Sequence, residues 1–328
     1  MRTQHLNSPY LMVKLSKPDT PEGLFHTLLA LKKCAEADPG LLVYTHDVRK
    51  RIIIAGLGER HIQGIITRLI EEFQLGIQAE TPQILYKETI RSAVKSEGRF
   101  VRQASSLCRY GHCWIAMEPA VRGAGYAFIN QITDEAVIPS KYIESVEEGL
   151  QRAMTSGVLG NFPVVDFKVT LYDGSTHRTD SSSMSYIIAA AMAFKNGLKR
   201  AAPVLLEPIM NLTVVVEESL LSLARNEIHA MNGRHVSVEY EGEMVILTAD
   251  VPLREWWNSG KGDMLKKEQP SLVFGYYDEV PGDMQATLVE ESNLRDASYT
   301  DLFFWSKWGE ENEEYYLKQF VDELWEGE

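Results

Sequence analysis

Cysteine is scarce in this chain, with Cys34, Cys108 and Cys113 the only three in 328 residues. So small and odd a number excludes a disulfide framework and points to a reducing compartment, so a cytoplasmic location is expected. Long apolar runs are missing as well. No stretch reaches the roughly 18 uncharged apolar residues that a membrane helix requires, and no membrane partner is expected. Met1-Arg2-Thr3-Gln4-His5 runs into mixed polar sequence without the apolar core of a signal peptide. Nor is there a phosphate-binding loop, since nothing matches G-x-x-x-x-G-K-S/T. Gly56-Leu57-Gly58 is followed by Glu59-Arg60-His61, which lacks the third glycine of a dinucleotide fingerprint. Gly123-Ala124-Gly125 precedes a strand-like run, so its amides have no helix N-terminus to complete an anion site. Both are read as turns, and no cofactor is expected.

What is present is ordinary in bulk and uneven in distribution. Apolar types make up 45% and charged types 24%, the balance of a folded chain, and the length suits two or three domains. The net charge is −13. Residues 281–328 alone contribute −10, with Arg295, Lys307 and Lys318 their only bases; the rest of the chain is close to neutral.

The first eighty residues alternate short strands with amphipathic helices. Tyr10–Val13 is apolar, Lys17–Pro21 starts a helix, and Leu24, Leu28, Leu31 and Ala35 share one helical face. Asp38-Pro39-Gly40 ends it. Strand-like Leu41–Thr45 and Arg51–Ala55 follow, then a helix with Ile62, Ile65, Ile66, Leu69, Ile70 and Phe73 on its stripe, then a strand at Leu75–Ala79. The order βαββαβ is the split-βαβ, ferredoxin-like arrangement. It returns at Val204–Tyr276: strand 204–216, helix 218–231, strands 235–240 and 244–250, helix 253–267, strand 272–276. The middle differs. Ile84–Lys95, Arg99–Gln103, His112–Glu118, Tyr126–Ile132 and Val164–Tyr172 read as strands. Ser140–Thr155 and Ser181–Lys199 read as helices, the second capped by Ser181 or Ser182. Beyond Pro281, aromatics from Tyr299 to Trp325 alternate with acids, which suggests an acidic amphipathic helix.

Two constellations invite a chemical reading and neither sustains it. Cys108, His112 and Cys113 do not have zinc-knuckle spacing, and no second ligand pair accompanies them, so no metal is expected and Cys113 is read as a strand residue. Asp166, His177 and Ser181 are the residue types of a hydrolytic triad, but no G-x-S-x-G elbow presents a nucleophile. Two polar loops remain, Ser105–His112 and Thr170–Ser181. The second joins a strand to a helix with His177 and Arg178 near its apex, and imidazole and guanidinium can stack on bases or meet phosphate.

Longer stretches resemble a known family. Pro82–Arg91, Glu97–Gln103, Tyr110-Gly111-His112, Val137–Ile143, Phe162–Asp166, Val169–His177 and Asp180-Ser181-Ser182 resemble the fourth domain of translation elongation factor G. Leu206-Glu207-Pro208-Ile209-Met210 resembles the opening of its fifth domain; Ala55–His61 and Arg68–Phe73 resemble its third. The resemblance implies an α+β protein with two ferredoxin-like domains, 1–81 and 204–280. They flank an arm, 82–203, with the fold of the second domain of ribosomal protein S5; an acidic helical tail, 281–328, follows. It implies that the arm enters the ribosomal A site and follows the tRNA–mRNA duplex in translocation. The implied tip residues are His177 with Ser175, Thr176 and Arg178; Arg109 and Tyr110 from a second loop; and Gly157 and Asn161 from a third, Ser156–Phe162.

The departures bear on function. The family's GTPase domain has no counterpart in this sequence, so the chain is not expected to be an enzyme by itself. The family's Gly-Gly-Arg-Gly-Gln becomes Ser105-Ser106-Leu107-Cys108-Arg109, paired arginines become Met231-Asn232, and a Gly-Arg-Gly stretch becomes Glu268-Gln269-Pro270-Ser271. Each lost arginine removes a potential phosphate contact. The leading reading is a ribosome-directed module. The alternatives are one half of a split factor that pairs with a separate GTPase subunit, and a non-ribosomal interaction scaffold. The acidic tail is expected to pack on the body or meet a protein.

Overall fold

In the computed structural model, the structure describes residues 9–16, 20–46, 52–104, 107–259, 264–291 and 299–301. The first unit runs β1 (Leu11–Leu15), α1 (Pro21–Ala37), β2 (Leu42–His46), β3 (Ile52–Gly56), α2 (Glu59–Glu71) and β4 (Gln83–Ile84). Its sheet order β2-β3-β1-β4 is the antiparallel ferredoxin-like order. Thr20 caps α1, its side chain accepting from the Gly23 amide at 3.0 Å, with Pro21 at the first helical position. Leu24, Leu28 and Leu31 are fully buried, as are Ile62, Ile65 and Leu69 on α2 or nearly so; Ile70, expected on the same stripe, stands 44% exposed. The strand expected at Leu75–Ala79 is reduced to a single bridge from Ala79 to Leu15, and pairing with β1 passes to Gln83–Ile84 instead.

The middle unit comprises β5 (Lys87–Ile90), β6 (Val94–Ala104), β7 (Leu107–Pro119), β8 (Tyr126–Asn130), α3 (Ile143–Met154), β9 (Phe167–Ser175) and α4 (Ser183–Arg200). Its sheet is ordered β6-β7-β9-β8, with β8 and β9 parallel. Alternation sends Cys113, Ile115 and Met117 of β7 and Phe167, Val169 and Leu171 of β9 into a core with α3 and α4. Ser182 is the cap of α4. Asp173-Gly174-Ser175, expected within the polar loop, instead continue β9 and pair with Trp114, Cys113 and His112.

The third unit runs β10 (Pro203–Glu217), α5 (Leu221–Ala230), β11 (Arg234–Glu241), β12 (Met244–Pro252), α6 (Leu253–Asn258), α7 (Met264–Lys267) and β13 (Ser271–Glu279), and its order β11-β12-β10-β13 repeats the ferredoxin-like arrangement. Strand β10 is shared: Pro203–Leu206 pairs with β5 of the middle unit, and Ile209–Glu217 pairs with β12. The Tyr277 hydroxyl lies 2.9 Å from the Pro9 carbonyl and 2.8 Å from that of Leu85, and Tyr10 stacks on Phe274, joining first and third units.

Two further elements follow, α8 (Gly282–Glu291) and β14 (Tyr299–Asp301). Met284, Leu288 and Val289 of α8 pack with Phe162 and Leu205 over the sheet face formed by Met12, Tyr44, Ile53 and Ala55. The Gln285 side chain accepts from the Leu205 amide, and β14 adds antiparallel to β2. The remainder of the acidic tail, 302–328, lies outside the described residues. No helix among the described residues is long and apolar enough to cross a membrane.

Candidate nucleic-acid interface at the arm tip

The β6–β7 hairpin and the β9–α4 connection meet at one end of the middle unit. The Tyr110 amide donates to the Asp180 carbonyl at 2.8 Å, and Tyr110 bridges Ser181. Beneath them, Ser175 Oγ lies 2.6 Å from Tyr110 Oη and 2.6 Å from His112 Nδ1, while His112 Nε2 lies 2.9 Å from Glu97. With His112 neutral these contacts define one direction of donation. Tyr110 donates to Ser175, Ser175 to His112 Nδ1, and His112 Nε2–H to Glu97.

His177 projects above this network, its side chain 54% exposed. Its amide donates to Ser181 Oγ at 2.9 Å, its Nδ1 faces Asp180 Oδ2 at 3.0 Å, and its ring centre lies 6.2 Å from that of Tyr110. Thr179 donates to the other Asp180 oxygen at 2.9 Å. Asp180 thus holds the half-exposed ring through one nitrogen. Buried Tyr186 supports the turn from below, donating to the Ser175 carbonyl at 3.1 Å and stacking on Tyr142, which donates to the Ser181 carbonyl. Burial pushes the Tyr186 phenol up, while hydrogen bonds with Thr176 and Ser181 pull it down.

The structure therefore gathers His177, Ser175, Thr176, Arg178, Arg109 and Tyr110 at one end, with Arg109 and Arg178 exposed. Gly157 and Asn161 are not among them. Their loop wraps Glu88 of β5: the amides of Val158, Leu159, Gly160 and Phe162 converge on its carboxylate at 2.7–3.2 Å. A Cβ on Gly157 would stand 2.0 Å from the Glu88 carboxyl carbon, and Asn161 takes a φ of 58°. Burial raises the Glu88 pKa, against the pull of the four amides. Lys195 donates to the Ser156 and Gly157 carbonyls. This loop is a junction at the root of the arm, separated from the tip by the nine residues of β9, about 30 Å of strand.

The same separation dissolves the triad. Asp166, before β9, is buried and accepts from the Gly125 amide, whereas His177 and Ser181 follow the strand's far end. His112 and Cys113 point to opposite faces of β7, and the described residues hold no group of three His, Cys, Asp or Glu placed for a metal. Sequence reading missed three members of the tip. Asp180 positions His177; Arg102 pairs across the ladder with Arg109, and Arg99 with His112. The arginine pairings follow from the register in which Ala104 faces Leu107. The small polar pair Ser105-Ser106 between two strand-like runs is the sequence signal for that register, and counting outward from it would have found them. In the third unit, Met231 is buried in the core, and Asn232, at φ 55°, hydrogen-bonds Glu255 where α5 ends. Met231 thus serves the core and Asn232 the helix end.

Residues 82–202 match the family model described as elongation factor G, domain IV, and residues 204–259 match the one described as elongation factor G C-terminus. The chain belongs to the elongation factor G family. Its arm is domain IV of that family, and the unit after it belongs to the family's C-terminus. Neither description is that of a GTP-binding domain. A crystal structure of a protein from Thermus thermophilus is 33% identical, with a TM-score of 0.61 over 87% of this chain and 43% of that one. The chain thus spans less than half the length of that relative.

Proposed function

We propose that this chain is a ribosome-directed RNA-binding module whose arm is aimed at the A site, in the region of the mRNA–tRNA duplex, and that it acts in relation to translocation without a GTPase activity of its own. The observation that carries this reading is the presentation of His177. Its ring is held out on a turn braced by Asp180, Ser181 and Tyr186, beside exposed Arg102, Arg109 and Arg178, in a chain whose overall charge is strongly negative. Such an arrangement suits contact with phosphates and unpaired bases. Pairing with a separate GTPase subunit through the sheet face of the first unit is disfavoured by the packing, because α8 and Phe162 cover that face.

The test is co-sedimentation with purified ribosomes at low and near-physiological salt, with elongation factor G as competitor. The wild-type chain is expected to pellet in competition with the factor. His177→Ala is expected to weaken functional engagement more than total affinity. Failure of the wild-type chain to bind ribosomes even at low salt would overturn the proposal.

A further inference from the structure

The sheet of the arm is covered by helices on one face only. Cys113, Ile115 and Met117 of β7 face α3 and α4, so Tyr110, His112 and Trp114 lie on the opposite face. There, Trp114 approaches Tyr172 at 6.4 Å between ring centres, and Lys95 Nζ stands 5.1 Å over the Tyr172 ring. A register shift between Trp114 and Ile115 marks the bulge that aims Tyr172 at Trp114. Val101, opposite Tyr110, is 49% exposed. The acids at this end are each engaged: Glu97 by His112, Asp173 by the Gly174 amide and Asp180 by His177. Lys95 and Arg99, opposite Ala116 and His112, share the face of Trp114 and stand exposed, whereas the Arg102–Arg109 pair falls on the other parity.

We infer that this open face binds single-stranded RNA, with bases stacked on Tyr110 and Trp114, either side of the engaged and mostly buried His112, and phosphates met by Lys95 and Arg99. The inference rests on the RNA-directed reading of the tip and extends the contact surface along the arm. Tyr110 and Trp114 lie four positions apart on β7, about 14 Å, several times the roughly 3.4 Å between stacked bases. Bases seated on the two rings are therefore unstacked from one another, a geometry open to a single strand and closed to a duplex. Aromatic side chains on the middle strands of a four-stranded sheet are a general solution for holding such bases.

Fluorescence anisotropy of the full chain with a labelled oligouridine, and with an RNA duplex of the same length, tests this. The single strand is expected to bind more tightly than the duplex. Trp114→Leu should weaken oligouridine binding by about tenfold, and Trp114→Phe should recover most of it. Arg99→Glu alters an exposed position outside the core, so it decides the matter if Trp114→Leu does not fold; about fivefold weakening with a shallower salt dependence is expected. No oligouridine binding at low salt, equal affinity for the duplex, or indifference to both substitutions would overturn the inference. Ribosome co-sedimentation run alongside separates the two ideas. Ribosome binding without oligouridine binding removes the sheet-face contact alone, whereas loss of ribosome binding by the wild-type chain removes the proposed function.

Discussion

At His177 the backbone amide and one ring nitrogen are each tied to a neighbour within the same turn, which leaves little freedom for the ring to lose on binding. Asp180→Asn removes the charge that holds Nδ1. Ribosome affinity is expected to fall a few-fold while the free energy of unfolding in urea stays within about 0.5 kcal/mol of wild type, because the site is at the surface. Glu88 is the opposite case, a carboxylate enclosed by four amides and wholly buried. Glu88→Gln offers one acceptor oxygen where there were two and turns an NH2 group toward amide donors. A loss of about 3 kcal/mol in urea unfolding is expected, since stranded buried donors cost about 1–3 kcal/mol each. The two residues also differ in legibility. His177 falls in a polar segment between a strand and a helix, where a tip is readable. Glu88 sits in a strand-like run where alternation suggests a solvated side chain, and nothing local reveals the loop seventy positions later that encloses it. That is why Gly157 and Asn161 were expected at the wrong end of the arm.

Helix α4 lies so close to the arm sheet that two glycines are obligatory beneath it. A Cβ on Gly98 would stand 1.9 Å from the Ala189 carbonyl oxygen, and one on Gly111 would stand 2.2 Å from that of Ser185. The obstacle in both cases is helix backbone, which cannot step aside as a side chain can. Gly98→Ala is therefore expected to cost about 3 kcal/mol or more and to lower the thermal midpoint by several degrees in calorimetry. The periodicities that define the two ferredoxin-like units were readable because each helix and most strands bury one clear face. Leu75–Ala79 was misread because apolar content alone does not make a ladder; β1 takes Gln83–Ile84 as its neighbour on the side away from β3. Helix α8 precedes the aromatic stretch from which a tail helix was expected; that stretch opens as the strand Tyr299–Asp301, and its remainder lies outside the described residues. A chain ending at Pro281 would uncover Met12, Tyr44 and Ile53, and increased binding of an apolar fluorescent dye with a lower thermal midpoint is expected.

Across the whole molecule, Glu279 of β13 pairs with both Arg91 and Arg122, tying the third unit to the root of the arm. The Arg91 hydrogen bond leads the effects that hold the Glu279 carboxyl below its ordinary value of 4.5. The folded chain therefore favours the ionised form more than the unfolded chain does. The resulting stability, on the order of 1 kcal/mol after solvent screening, is present above pH 4.5 and is lost as pH falls through the depressed value. Urea midpoints of wild type and Glu279→Gln should therefore differ at pH 7 and converge on acidification. This joint was invisible in the sequence because its three members are far apart along the chain. Only two residues, Ala201 and Ala202, separate α4 from β10, and the Arg91 and Ser92 amides donate to their carbonyls. With the two chain crossings laced together and β10 running on into the third unit, the arm behaves as a lever welded to its base. A rotation of about 5° at the root, acting over the roughly 36 Å length of β6, sweeps the tip by about 3 Å. Small turns of the body thus become displacements at His177 comparable to the spacing between bases.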